Sequence, residues 1–279
     1  MPSSKLLPLL VFATISTLGL SIIIYISSST TLSPYNLGVE GLSKFMELYS
    51  PEVSFGDIPL RGYDTVVLVL DRGPVNSSIY RDYVYGGGRL IILDEKGYSN
   101  DLLRDMGLDI RVSNMCVLDE VYKYWDRFHV KADTYHGYEV GLAGPCYIEA
   151  READVLAYSS RFSYLDVDGN ARYSMDEPMG SFPLIVRARV GAGEVILVGD
   201  SDFIANLFLD KGINRDFLGD ILNGVVLLDL SYTDYSFVDV AKRGLDRLGG
   251  LGGGPIYGVL VLLLMAVGVA VYGELIRVG

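Results

Sequence analysis

Gly199-Asp200-Ser201-Asp202 follows the apolar run Val195–Val198, which puts one hydroxyl between two carboxylates at the exit of a strand. A serine nucleophile in that position needs a base, usually histidine, oriented by a carboxylate within hydrogen-bond reach. No histidine follows Ser201, and the chain's two histidines, His129 and His136, lie upstream in an irregular stretch. A hydrolase would therefore need Ser201, or Ser99, to meet one of those histidines through the fold. A strand-to-helix corner explains the same residues with fewer assumptions. The helix that follows leaves its first N–H groups unpaired, Ser201 or Asp202 can cap them, and the helix dipole favours the added carboxylates. Such a corner can also hold a ligand, because open α/β sheets bind ligands at the carboxyl ends of their strands.

A second group of oxygen ligands lies in DVDGNARYSMDE, residues 166–177. With Asp166 at the first position of a calcium loop, Asp168 falls third, Asn170 fifth, Arg172 seventh through its carbonyl, Ser174 ninth and Glu177 twelfth. Alternate oxygen donors closed by a bidentate carboxylate suit a hard cation that takes about six to eight ligands. The departure is Ala171 at the sixth position, where a glycine normally makes the sharp turn, and Gly169 comes two residues early. An acidic exposed hairpin tip is the competing reading.

Cys116 and Cys146 are the only cysteines, and they suit either one disulfide in an oxidising exterior or two buried thiols. His129 and His136 stand seven apart near Asp126 and Asp133, without the short spacing of a transition-metal site. The tyrosine-rich stretch around Trp125, VYKYWDRFHVKADTYHGY, suits an interaction face, a sugar-binding face or the packing of a rim.

These groups must be positioned by an α/β framework. Leu42, Phe45, Met46 and Tyr49 recur at spacings of three and four, so a helix is expected there. TVVLVL at 65–70 and RLIIL at 89–93 are short apolar runs of the kind buried in parallel sheets, with a helix between them at 77–85. A further helix is expected at about 99–106. Strand–helix alternation implies a parallel sheet covered on both faces. Residues 109–150 read as an irregular inserted lobe. Strands return at 154–165 and 183–198, the latter as two joined at Gly191-Ala192-Gly193, and helices at about 203–209 and 214–228 close the domain.

The two ends have a different character. Residues 6–27 and 255–273 carry no charge, each is long enough as a helix to cross a ~30 Å hydrocarbon layer, and the whole chain has a mean hydropathy of +0.31. They are expected to be an N-terminal and a C-terminal transmembrane helix. Lys5 precedes the first and the next cation is Lys44, which puts the N-terminus inside, whereas Lys242, Arg243 and Arg247 before the second argue the other way. Because the first helix usually dominates, both termini are expected in the cytoplasm and the domain outside the cell. The expected organisation is an anchor at 1–28, an ectodomain at 29–232, a juxtamembrane segment with a glycine-rich hinge at 233–254 and a second anchor at 255–273. The net charge of −12 excludes a phosphate-backbone binder.

GAGEVILVGDSDFIANLFLDKGINRDFLGDILNGVVLL, together with SPYNLGVEGLSKFMELY and DYVYGGGRLIIL, resembles the domain of unknown function 4350 family of membrane proteins with a class I glutamine amidotransferase-like domain. The first stretch is also similar to auxiliary proteins of gliding-motility-type ABC transporters. The resemblance covers about residues 33–228 in outline. It implies a flavodoxin-like or amidotransferase-like fold, a partner role in a membrane assembly, and a place for Asn36 beside Asp200, Ser201 and Asp202 at a ligand-binding or structural corner. It does not carry the amidotransferase chemistry, because the strand RLIIL runs into DEKGYSND, with Asp94, Glu95 and Ser99 but no cysteine. The expected function is therefore a non-catalytic, membrane-anchored binding domain with membrane-protein partners. The alternatives are a serine hydrolase and a calcium-stabilised sensor of a small ligand.

Overall fold

The computed structural model describes residues 21–250 except 57 and 135, together with residues 11, 14–16, 18 and 19. Among the described residues the strands form two sheets. In the larger, nine strands run in the order β1-β12-β2-β3-β11-β10-β8-β5-β6. These are β1 (Glu52–Ser54), β2 (Thr65–Leu70), β3 (Arg89–Leu93), β5 (His129–Thr134), β6 (Glu139–Ala143), β8 (Asp154–Ser159), β10 (Pro183–Val190), β11 (Gly193–Val198) and β12 (Val226–Tyr232). The smaller sheet orders β7 (Cys146–Ala150), β4 (Ile110–Asp119) and β9 (Ser163–Asp166).

The fold is mixed α/β. The sheet is parallel from β1 through β12, β2 and β3 to β11, and antiparallel from there to β6. This corrects the expectation of a parallel sheet throughout. The reason lies in connection length: the turn at Gly191-Ala192-Gly193 is too short to cross back over the sheet, so β10 and β11 must pair as a hairpin.

All six residues of β2 are buried, as a strand covered on both faces requires. Its residues alternate between two cores. Val67 and Val69 pack with Ile91, Leu93, Phe45 and Phe203, whereas Val66 and Leu68 pack with Leu90, Ile92, Tyr80 and Leu102. The first face is covered by α1 (Ser43–Tyr49) and α4 (Asn214–Ile221), the second by α2 (Ser77–Tyr85) and α3 (Asn100–Asp105). Leu42 and Phe45 are buried, and Met46 and Tyr49 pack at the edge of the first core, which accounts for their helical spacing.

The irregular lobe at 109–150 is four strands. Two of them, β5 and β6, complete the main sheet, and β4 and β7 build the smaller one with β9. The helix expected at 203–209 is a 3-10 turn at Ser201–Ile204. The helix expected to run to 228 stops at Ile221, because Leu222 turns extended and Gly224 takes φ +56, a left-handed conformation that glycine adopts without a steric cost. The apolar residues beyond it form β12, inserted between β1 and β2. The glycine-rich segment is helical over its described residues, as part of α5 (Phe237–Gly250).

Among the described residues no helix is long and apolar enough to cross a membrane. Residues 255–273 lie outside the described residues, as does part of 6–27.

Candidate functional site

Three parallel strands deliver acids to one end of the sheet: Asp71 follows β2, Asp94 and Glu95 follow β3, and Asp200 follows β11. Asp94 is fully buried, and its Oδ1 accepts from the N–H groups of Lys96 and Gly97 at 2.9 Å while Oδ2 accepts from Ser99 N–H at 2.7 Å. The carboxylate thereby folds the start of α3. Ser99 sits inside this turn, and its hydroxyl is buried without a partner.

Asp200 is buried as well, with Oδ1 accepting from Asp202 N–H at 2.8 Å and Oδ2 from Ala143 N–H at 2.7 Å. It caps the 3-10 turn and ties it to β6. Ser201 donates its N–H to Glu95 Oε2 at 2.9 Å. The corner thus brings Asp200, Ser201 and Asp202 together as expected, but the cap is Asp200 rather than Ser201 or Asp202. Burial raises the Asp200 carboxyl well above its ordinary range, with Asp202 beside it adding to the shift. Burial, then Glu95, Glu40 and Asp71, push Asp202 up to about 6. Lys96 offsets part of this negative charge by pairing with Asp71 and, at 3.7 Å, with Glu95.

Among the described residues no hydrogen bond joins His129 to the Ser201 hydroxyl. His129 bonds Asp126 at 2.7 Å through Nδ1, stacks on Phe208 and meets the edge of Trp125. Asn36 belongs to a different part of the corner. Its Oδ1 accepts from Gly38 N–H and its Nδ2 donates to Thr30 O, both at 2.8 Å, which shapes the loop before α1.

Two residues that the sequence reading passed over fasten this region. Asn206 donates to Gly38 O at 2.6 Å, Ser43 Oγ at 3.0 Å and Asn36 O at 3.2 Å, and accepts from Lys44 N–H at 2.8 Å. Asn214 makes a two-way bond with the Gly141 backbone and donates to Phe208 O. Both are buried; Asn206 stands between Ala205 and Leu207, a polar residue inside an apolar run, and that pattern was the available signal.

The thiols lie next to the corner. Cys146 N–H donates to Gly199 O at 2.7 Å, and a Cβ on Gly199 would stand 2.3 Å from Cys146 O, so only glycine fits. Cys116 and Cys146 are free thiols in register across β4 and β7, their sulfurs 3.7 Å apart. The hydrogen bond from Cys146 holds the Cys116 thiol down at about 7 against burial, Asp166 and Glu95, and Cys146, as the donor, is pushed up.

Cys116 also pairs in register with Asp166, the last residue of β9 and the first of the acidic loop. One carboxylate oxygen each from Asp166, Asp168 and Glu177 lie within 4.8 Å of one another. Asn170, Arg172 and Ser174 lie in the same loop. Asn170 bonds Asp168 through both N–H groups, and the Arg172 and Ser174 amides donate to Asn170 Oδ1 and Glu177 Oε2.

On the antiparallel half of the sheet, the tyrosine-rich stretch forms a polar aromatic cluster. Glu139 accepts from Tyr124 at 2.8 Å and Tyr122 at 3.0 Å and pairs with Lys131. Burial opposes its charge, but these bonds hold the carboxyl below its ordinary range. Beside the cluster runs a groove of about 790 Å³, lined by Val121, Tyr122, Thr134, Tyr158 and Phe162. Val121, Tyr158 and Phe162 are exposed there, which gives a mostly apolar wall. A larger polar cleft of about 1010 Å³ lies at the opposite, amino ends of the parallel strands. Its Arg89 is already engaged by Glu194 and by Ile221 O.

Among solved structures, the chain is similar to an N-terminal domain titled mmIFT52 at 16% identity and a TM-score of 0.47, covering 58% of this chain and 76% of that one. A beta-galactosidase from Bacillus circulans sp. alkalophilus shares 17% identity at a TM-score of 0.37, over 58% of this chain and 24% of the galactosidase. The chain thus spans about a quarter of that enzyme's length. The cytoplasmic protein STM1381 from Salmonella typhimurium LT2 gives 17% identity and a TM-score of 0.35, over 53% of this chain and 66% of that one. No curated protein matches the sequence. The family described as domain of unknown function (DUF4350) matches residues 32–222, and the chain belongs to that family.

Proposed function

We propose that this DUF4350 protein is a non-catalytic binding domain held against the outer face of a membrane by two anchors, and that it recruits membrane-protein partners. The supporting observation is the meeting of its two ends. Lys242 of α5 donates to Ile24 O at 2.9 Å, Ser33 donates to Asp239 at 2.5 Å, and Tyr35 donates to Asp246 at 2.6 Å. The chain leaving the first uncharged segment is thereby bound to the helix leading into the second. Two spans that start from one patch of the domain can enter one bilayer side by side, as a two-pass topology requires.

The binding role rests on where the polar groups are spent. Asp94, Asp200 and the Ser201 amide hold the corner together, and His129 is engaged with Asp126. The aromatic groove lined by Tyr158 and Phe162 is the surface left for a partner, since exposed apolar patches of this kind mark interaction sites. A subunit of an ABC-type or envelope assembly is the partner that the sequence resemblance implies.

The test is labelling of intact cells with a membrane-impermeant maleimide. The reporter is Arg151→Cys, at an exposed site, in a chain whose Cys116 and Cys146 are replaced by serine. Labelling without permeabilisation, on protein that stays in the membrane after alkaline carbonate, is the expected result. Labelling only after permeabilisation, or release by carbonate, refutes the topology.

A further inference from the structure

We propose that the loop at residues 166–177 is a calcium site, with Asp166, Asp168 and Glu177 as its carboxylate ligands. The loop has fixed ends. Tyr164 and Met179 form a bridge at its base, Leu165 N–H donates to Pro178 O at 3.0 Å, and Gly180 N–H donates to Ser163 O at 2.9 Å. Its far side is tethered by Arg127, whose guanidinium bonds Ala171 O. The ligand-bearing residues are therefore placed by β9 and the bridge at Met179 rather than by a free tip.

Two observations distinguish this loop from an acidic surface patch. Asp166 is only 8% exposed, and its Oδ1 is buried without a hydrogen-bond partner in the residue whose carboxylate meets those of Asp168 and Glu177. A buried carboxylate oxygen costs free energy unless it is paired or coordinates a metal. Secondly, the objection to Ala171 is met by the backbone. Ala171 takes φ +58 at the sixth position and donates its N–H to Asp166 Oδ2 at 3.1 Å, and Gly169 takes φ +72. The sharp turn that the loop needs is made, with alanine accepting a conformation that favours glycine.

Glu177 is also 6% exposed, and it spans the loop by accepting from Val167 N–H at 3.0 Å and Ser174 N–H at 2.9 Å. These bonds fix the Glu177 carboxylate with one oxygen within 4.8 Å of those of Asp166 and Asp168, at the twelfth position, where such loops carry their closing carboxylate. With the Asn170 side chain, the Arg172 carbonyl and Ser174 as further oxygen donors by position, the set is all oxygen and spread along a flexible loop. That favours calcium over magnesium, which demands a tighter octahedron and gives up its waters reluctantly.

The test is calorimetric titration of the full-length protein in mild detergent with calcium, and separately with magnesium. Expected are one calcium per chain with a Kd of about 0.1–1 mM, the range of extracellular modules, and at least roughly tenfold weaker magnesium. Asp168 is exposed, so Asp168→Asn should still fold, shown by a cooperative calcium-free melting transition, while weakening calcium about tenfold or more. No binding at about 10 mM calcium, equal affinity for magnesium, or unchanged calcium binding by Asp168→Asn would each overturn the site.

Discussion

Cys116 and Cys146 face each other across the β4–β7 ladder with their sulfurs 3.7 Å apart, and Val117 N–H donates to Pro145 O beside them. That bond makes them a non-hydrogen-bonded cross-strand pair, the kind whose side chains stand closest. Thirty residues separate the two in sequence, and both strands must be registered before the thiols meet.

The pair is expected to close by exchange with a small-molecule disulfide. The Cys116 thiolate attacks that disulfide and releases one thiol, then Cys146 loses its proton, attacks the Cys116 sulfur and releases the second. Thiolate absorbance should show one cysteine titrating near 7, and Cys146→Ala should raise that value toward the ordinary cysteine range by removing the hydrogen bond. Retention of a value near 7 in Cys146→Ala would disprove the coupling.

Asp202 links the acidic corner to pH. Its folded pKa, about 6, lies above the ordinary aspartate value, so its contribution to stability is fully present below about pH 4 and is lost as pH rises through 6. Asp202→Asn removes that loss. The variant should match the parent in urea unfolding near pH 4 and exceed it by on the order of 2 kcal/mol near pH 7.5. An equal difference at both pH values would show that charge is not the cause.

The Asn206 side chain joins the turn after β11 to the loop before α1 and to the first turn of α1 through four hydrogen bonds. Asn206→Ala leaves Lys44 N–H and the Gly38 carbonyl without these partners. Unfolding free energy should fall by about 2–4 kcal/mol, since each buried polar group left unpaired costs about 1–3 kcal/mol. A loss under about 0.5 kcal/mol would mean that water replaces the side chain.

Gly219 lies exposed inside α4, where an added Cβ meets nothing within 4 Å. Gly219→Ala should stabilise the domain by about 0.5–1 kcal/mol, because alanine lowers the entropy of the unfolded chain and suits the helix. Denaturant midpoints of the two proteins, with equal slopes, measure it.

Local patterns in the sequence were sufficient for β2, β3, α1, α2 and the β10–β11 hairpin, because each is specified by residues within a few positions of one another. The alternate oxygen donors of the loop at 166–177 were visible for the same reason: their spacing is a local property. What the tertiary structure decided was pairing over long separations. β12 enters between β1 and β2, β5 and β6 extend the main sheet, and Asp200 rather than Ser201 caps its turn. Apolar runs such as 225–228 suit helix and strand alike, and only the open position beside β2, with the turn at Gly224, selects the strand. The thiol pair and the meeting of Ile24 with Lys242 depend on residues 30 and 218 positions apart, a distance over which no periodicity carries information. The chain's own chemistry was written locally, and the fold determined which parts of it meet.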